Sequence, residues 1–556
     1  MPVRTPGLRI GGAATVALLL ALVPVAAAAQ SVDRIDAIEK HIRQLEGELQ
    51  RLKGELGATR QQLRQSQRDA RQARVQAQQA TEAASVVQAR AAVAPPPPSG
   101  PPPAPGPKVV QTAGNRFGIE SADGRNSIYL TGRLHLDVGD YFHYDPDTKF
   151  AAVQNLHGGV NARRARLGVT GKFAGDWNYT LIYDFGGSSD GFPGANGPTG
   201  AAPLPGAPTS GTEAAYVTYN GLNKGPLPLA FDLGYMDTPF TLDEATSSND
   251  IMFMERASIQ TVASNIFAND FRSALGVRSN NDRYWAGAYL TGPVSGAPHH
   301  TGEQVGAFGR ATYQVLAAPE ASLHLGADVG ALLKPPTTTV GGFANVPALT
   351  LSDRPELRVD PTAILSTGLL GTVTNPITDA EVYGVEGAAA WRNLFVQGEY
   401  YHIDVGRRAL QSNGFDGGYV EASWTISGER RKYLPAAGAY AGIVPDHPFE
   451  PWMENYGTGA WELAFRYSTI DLNSNFKPGV VPAATSNAVG GGKQTVYGVG
   501  VNWYLNANMR LMFDFMHGDI NKRFSTAAGG GIAGTPLGAS VGGSFDALAM
   551  RTQFAF

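Results

Sequence analysis

The sequence predicts an all-β protein: a 16-stranded antiparallel transmembrane β-barrel preceded by an N-terminal α-helical coiled coil. Three observations carry this expectation. From Gly114 onward, apolar and polar residues alternate over segments of about ten residues. Short turns such as GDW, RND and NAN alternate with long Gly/Pro-rich connections, as in a barrel with one short-looped end. Ahead of these segments, apolar residues recur at spacings of three and four, which marks a coiled-coil seam.

The elements follow in chain order. Residues 1–29 read as a signal peptide. Arg4 and Arg9 supply a basic start, ATVALLLALVPV an apolar run, and Ala27-Ala28-Ala29 a cleavage site. The run is short of the ~20 residues that span a bilayer as a helix. Residues 30–94 carry the heptads: Ile35, Ile38, Ile42, Leu45, Leu49, Leu52 and Leu56 lead into an alanine seam. A lone apolar stripe must bury itself against something, so this segment is expected to oligomerise in the periplasm. The alternative is a single solvated helix or a disordered Gln/Arg-rich tail. Residues 95–114 begin PPPPSGPPPAPGP, an extended semi-rigid linker. Residues 115–556 are the expected outer-membrane barrel.

Within that barrel, IYLTGRLHLDVGD places Leu134, Leu136 and Val138 on one face and Arg133, His135 and Asp137 on the other. RARLGVTGKF sets Leu167 and Val169 against Arg164, Arg166 and Lys172. Sixteen such segments are countable, starting near residues 128, 162, 177, 213, 229, 272, 283, 304, 321, 381, 394, 416, 458, 494, 508 and 543. Full charges in mid-strand suit a wet lumen, and the apolar face suits lipid. A soluble sandwich would bury that face instead. The last segment, SFDALAMRTQFAF, ends on an aromatic residue, which resembles the closing strand of outer-membrane proteins.

Charge is divided along the chain. Residues 31–94 hold 11 Lys/Arg against 8 Asp/Glu; residues 115–556 hold 30 against 40. The acidic body gives no basic face for nucleic acid. The chain has no cysteine, hence no thiolate metal site. Its scattered histidines form no HExxH, and neither a nucleophile elbow nor a P-loop is present, so no enzyme and no cofactor is expected.

One stretch breaks the alternation. LDEATSSNDIMFMERAS, Leu242 to Ser258, gathers Asp243, Glu244, Asp250, Glu255 and Arg256 around the apolar run Ile251-Met252-Phe253-Met254. It falls between the fifth and sixth segments. A loop folded into a barrel would need charges for the polar wall and a few apolar anchors. Ser247, Ser248 and Asn249 can cap a helix beginning near Asp250, and Glu255 and Arg256 can form ion pairs with the wall. The alternative is an ordinary extracellular loop.

RRARLGVTGKFAGDWNYTLIYDF, LDEATSSNDIMFMERA, RPELRVD, and ISGERRKY followed by GAWELAFRYSTIDL are similar to the phosphate-selective porin O/P family, in family order. The resemblance implies a homotrimer of 16-stranded barrels in outer-membrane lipid, each narrowed by its third long loop. It also implies anion guidance by arginines along the wall and lysines in the constriction. Arg133, Arg164, Arg166, Arg272, Arg278, Arg310, Arg466, Arg510 and Arg551 fall on the expected lumen face. Between Asp237 and Phe271, however, there is no lysine, a single arginine and six acids. The expectation is therefore a pore for small hydrophilic solutes or ions, with anions such as phosphate among them. A second expectation is a tether from the outer membrane to peptidoglycan through the coiled coil.

Overall fold

The computed structural model describes residues 106–112, 116–149, 156–186, 211–223, 225, 227–293, 302–452, 457–476, 487–525 and 534–556. The expected signal peptide and coiled coil lie outside the described residues. Strand pairing begins inside the stretch read as linker. Val109 and Val110 follow the last proline, and β-branched residues there favour an extended strand. β1 (Lys108–Gln111) and β2 (Phe117–Glu120) form a hairpin.

The barrel follows with β3 (Ser127–Pro146), β4 (Gly159–Phe173), β5 (Trp177–Asp184), β6 (Gly211–Leu222), β7 (Leu229–Thr238), β8 (Asn269–Asn280), β9 (Tyr284–Thr291), β10 (Val305–Ala317) and β11 (Ala321–Lys334). Four short strands lie within one connection: β12 (Thr337–Val340), β13 (Phe343–Pro347), β14 (Leu349–Asp353) and β15 (Leu365–Leu370). The wall resumes with β16 (Ile377–Trp391), β17 (Leu394–Arg407) and β18 (Asn413–Thr425). The small hairpin of β19 (Tyr433–Leu434) and β20 (Ala439–Tyr440) interrupts it before β21 (Ala460–Ser474), β22 (Val489–Tyr504), β23 (Met509–Asn521) and β24 (Gly543–Ala555). Wall strands pair antiparallel with their neighbours, and β24 pairs with β3, which closes a barrel of sixteen. Each of the sixteen expected segments corresponds to one wall strand.

The alternation decides which face is which. Leu134, Leu136 and Val138 are 44%, 40% and 43% exposed, whereas His135 and Asp137 are fully buried. An apolar outside and a charged inside invert the pattern of a soluble protein. Near the end where β3 begins and β24 finishes, aromatic rings gather on the outer face. Trp177 stacks on Phe173 at 5.7 Å and Trp461 on Trp503 at 5.0 Å. Such belts sit at the boundary between lipid and water. We call this the near end and the other the far end.

Three connections fill the interior. Residues 239–268 and 335–376 enter from the far end, and residues 426–452 enter from the near end. Sequence reasoning anticipated the first of these alone.

Candidate functional site: the loops that fill the barrel

The loop 239–268 holds two short helices, α1 (Leu242–Ala245) and α2 (Ser258–Asn265). Thr241 caps α1 by accepting the Glu244 N–H at 2.9 Å. The helix expected at Asp250 does not form. Residues 250–257 run as non-helical chain between the two helices. The reason is that side chains of the wall and of the connection after β18 satisfy this backbone, so it needs no internal ladder. Asp514 accepts the Met254 N–H at 2.8 Å. Arg431 donates to the Asp250 carbonyl at 2.6 Å, Asn502 to Met252 at 2.9 Å, and Gln553 to Asn249 at 3.0 Å.

The apolar run provides the anchors. Ile251, Met252, Phe253 and Met254 are all buried. Phe253 lies under the Arg466 guanidinium, 4.4 Å from the ring centre. It fits because the wall is bare there: a Cβ on Gly498 would stand 2.9 Å from its ring. Phe267 docks the same way over Gly330, where any Cβ would overlap its ring. Phe240 packs against Phe267 and Phe308 at 5.0 and 5.2 Å.

The loop's charges are turned to protein. Glu255 lies 2.9 Å from Arg163 and 2.8 Å from Arg551. Burial opposes its charge, but Arg163, Arg551, Arg164 and Arg358 together hold its carboxyl well below the usual range. Asp243 goes the other way: burial raises it despite the nearby Arg256. Arg256 differs from its expected wall pairing. It folds back on its own loop, 3.4 Å from Glu244 and 3.7 Å from Asp243, and donates to the Asp243 and Thr246 carbonyls. Both acids lie within α1, so Arg256 ties the chain after the apolar run back to that helix. Asp250 accompanies them and borders a near-end cavity of about 730 Å³ that Lys172, Arg278 and Arg510 also line.

The second loop supplies a cap. Glu356 accepts the Ser258 N–H at 3.0 Å, at the start of α2, where Ala257 offers no side-chain cap. The same carboxylate reaches Arg466 at 3.1 Å. Glu356 sits at φ +46°, a left-handed backbone position for a non-glycine residue. From the near end, Arg431 joins the third loop to Glu462 at 3.0 Å.

The nine singled-out arginines divide into groups. Five have close carboxylate partners. Arg166 pairs with Asp184 and Glu213, Arg278 with Asp232, Arg310 with Glu386, Arg466 with Glu421, and Arg551 with Asp137. Arg272 donates to the Ala268 and Asn265 carbonyls and so closes the end of α2. Arg133 donates to Ser247 and Ser248, and Arg510 to the Asn249 and Met252 carbonyls. Arg164 is buried, and its Nε and Nη1 donate to nothing among the described residues.

Sequence reasoning missed Arg163, Glu356, Arg358 and Arg431. Strict alternation puts Arg163 on the outer face. A register shift opposite His135 and Leu136 removes it from the ladder, so Arg163 and Arg164 are both buried. The double arginine in RRARLG was the available signal.

The family described as phosphate-selective porin O and P matches residues 128–556. Porin O of Pseudomonas aeruginosa is 24% identical over 437 residues, covering 74% of this chain and 87% of that protein. Among solved structures, an anion-selective porin from Comamonas acidovorans is 16% identical with a TM-score of 0.43, covering 78% of this chain and 100% of that one. The outer membrane channel DcaP of Acinetobacter baumannii is 12% identical with a TM-score of 0.41, covering 79% of this chain and 99% of that one.

Proposed function

We propose a function from one premise: this chain belongs to the phosphate-selective porin O and P family. It is an outer-membrane porin, a β-barrel channel and not an enzyme. Within that frame, it gives passive diffusion of small hydrophilic solutes and ions, and its preference is for anions without strong selection for phosphate. Residues 239–268 form the constriction. Three chains associate as a homotrimer in outer-membrane lipid. The near end faces the periplasm, with the coiled coil of residues 30–94 beyond the Pro-rich linker.

The observation that carries this reading is the disposition of charge. The acids Asp243, Glu244 and Glu255 are buried and lie close to arginines, so they place little negative charge toward a passing ion. Arg164 is a buried cation whose Nε and Nη1 donate to nothing among the described residues, so it acts on a passing ion through its field and not by contact. An anion leaving water needs positive potential to offset its lost hydration. The loop contains no lysine, which weakens the case for tight phosphate capture.

Reversal potentials in a KCl gradient across planar bilayers test this. The expected result is a modest anion preference that falls in Arg164→Gln. Cation preference, or submillimolar block by phosphate, would overturn it. A second reading, the tether to peptidoglycan, rests on the net positive charge of residues 31–94 and on β1 entering at the near end.

A further inference from the structure

We propose that Glu356 is a positioning residue for the constriction: it fixes the start of α2 and thereby sets the aperture of the pore. This rests on the reading of residues 239–268 as the constricting loop. Wall side chains fasten that loop ahead of α2. Glu399 of β17 accepts the Leu242 and Asp243 N–H groups at 2.6 and 3.3 Å, and Asp514 of β23 accepts that of Met254. The start of α2 is held differently. A helix begins with N–H groups that its own turns leave unpaired. Ala257, just before α2, makes no side-chain cap. Gln494 of β22 reaches the Ser258 hydroxyl at 2.8 Å, which leaves the Ser258 N–H to be satisfied. Glu356, in the connection between β11 and β16, accepts it at 3.0 Å. A carboxylate there also suits the positive end of the helix dipole.

The same carboxylate is tied to the wall. Its Oε1 also accepts from the Ser468 hydroxyl, and its Oε2 from Arg466 at 3.1 Å. Both residues stand on β21. Glu356 is thus a bridge, with the constricting loop on one side and the wall on the other. The Arg466 guanidinium also lies over the Phe253 ring, 4.4 Å from its centre. The clamp on α2 and the anchor of the apolar run therefore share one wall residue.

The backbone shows that this placement is built and not incidental. Glu356 has φ +46°, a left-handed turn position that glycine or asparagine fills with less strain. Its surroundings hold it there. Leu357 is fully buried, and the Tyr141 hydroxyl lies 3.3 and 3.4 Å from the Pro355 and Leu357 carbonyls. Asn161 donates to the Arg358 carbonyl at 2.8 Å. A turn fixed on both flanks presents the carboxylate already aimed. Glutamate supplies what glycine there cannot: an acceptor for α2 and a partner for Arg466.

Loss of the clamp acts on placement more than on folding. Ile259, Val262 and Ala263 of α2 are buried in the largest apolar cluster. They keep the helix inside the barrel when its first turn is released, so the loop shifts without leaving.

The test uses the full-length porin in planar bilayers, with unfolding temperature measured on the same preparations. Glu356→Gly removes the carboxylate and relaxes the backbone, so the barrel should stay folded. Its single-channel conductance should rise by roughly half or more, with added open-channel noise. Glu356→Gln keeps an oxygen for the Ser258 N–H but loses the charge that faces Arg466. It should lie between wild type and Glu356→Gly, and it decides by the same readouts if Glu356→Gly does not fold. The proposal fails if conductance and noise stay at wild-type values. It also fails if the unfolding temperature alone drops, since Glu356 would then serve stability without placing the loop. Glu255→Gln, which loosens the same loop at a wall contact, separates this inference from the reading beneath it. If Glu255→Gln raises noise and Glu356→Gly does not, the loop constricts but Glu356 does not position it. If neither variant changes conductance or noise, residues 239–268 are not the constriction, and both fall.

Discussion

Glu255 shows how one side chain can hold a loop against a wall. Its carboxylate meets Arg163 and Arg551, and Arg551 spans from it to Asp137 at 2.6 Å. Removing one charge from a buried network strands its partners, at a cost of about 3–5 kcal/mol. Glu255→Gln should therefore lower the unfolding temperature of the porin and raise open-channel noise as the loop loosens. The pH dependence has a definite sign. The folded carboxyl titrates below its unfolded value of about 4.3, so its stabilisation is complete above that pH. It is lost only as pH falls through the lower folded value. The gap between wild type and variant should thus persist from neutrality down to about pH 4. A gap already closed at pH 6 would refute the assignment. At this scale the sequence was legible wherever alternation held, which places Arg164, Arg310 and Arg551 inside. Arg163 was illegible because a bulge changes the facing of a residue without changing its neighbours in sequence.

At the scale of elements, the loop 239–268 is a segment of chain fastened by sockets in the wall. Phe253 occupies the space that Gly498 leaves, and Phe267 that of Gly330. Gly498→Val should push Phe253 off the wall, cost about 1–3 kcal/mol through overpacking, and increase single-channel conductance. Unchanged conductance with Phe253 still in place would show that the strand, not the ring, gives way. The position of this loop and its apolar anchors could be read from the broken alternation. The missing helix at Asp250 could not, because it depends on Arg431, Asn502 and Asp514, which are distant in sequence and donate to or accept from its backbone. Nor could the entry of residues 335–376 and 426–452. A long connection rich in glycine and proline does not state on which side of a rim it will lie.

For the whole molecule, period-two patterning was enough to count sixteen strands, because a one-residue slip would put charges into lipid. The rod of residues 30–94 is a separate matter of function. Deleting residues 30–107 leaves the wall strands and their closure intact in sequence, so solute uptake per barrel should be preserved. If the rod tethers the membrane, detergent sensitivity of the envelope should rise in the same strain. Loss of uptake would mean that the segment serves the passage itself.

The grip on Glu255 also has a history within each molecule. Arg163 lies 92 residues before Glu255 and belongs to the second wall strand, whereas Arg551 lies 296 residues after it, on the last. The second hand comes from β24, whose pairing with β3 closes the wall. Contacts so far apart form late, because the ends of a long chain must first be brought together. A barrel without β24 would lose the Arg551 grip on Glu255 and the seam with β3, although Asp514, Arg466 and Glu399 would still meet the loop. The seam that closes the wall therefore also completes the hold on the loop that narrows it.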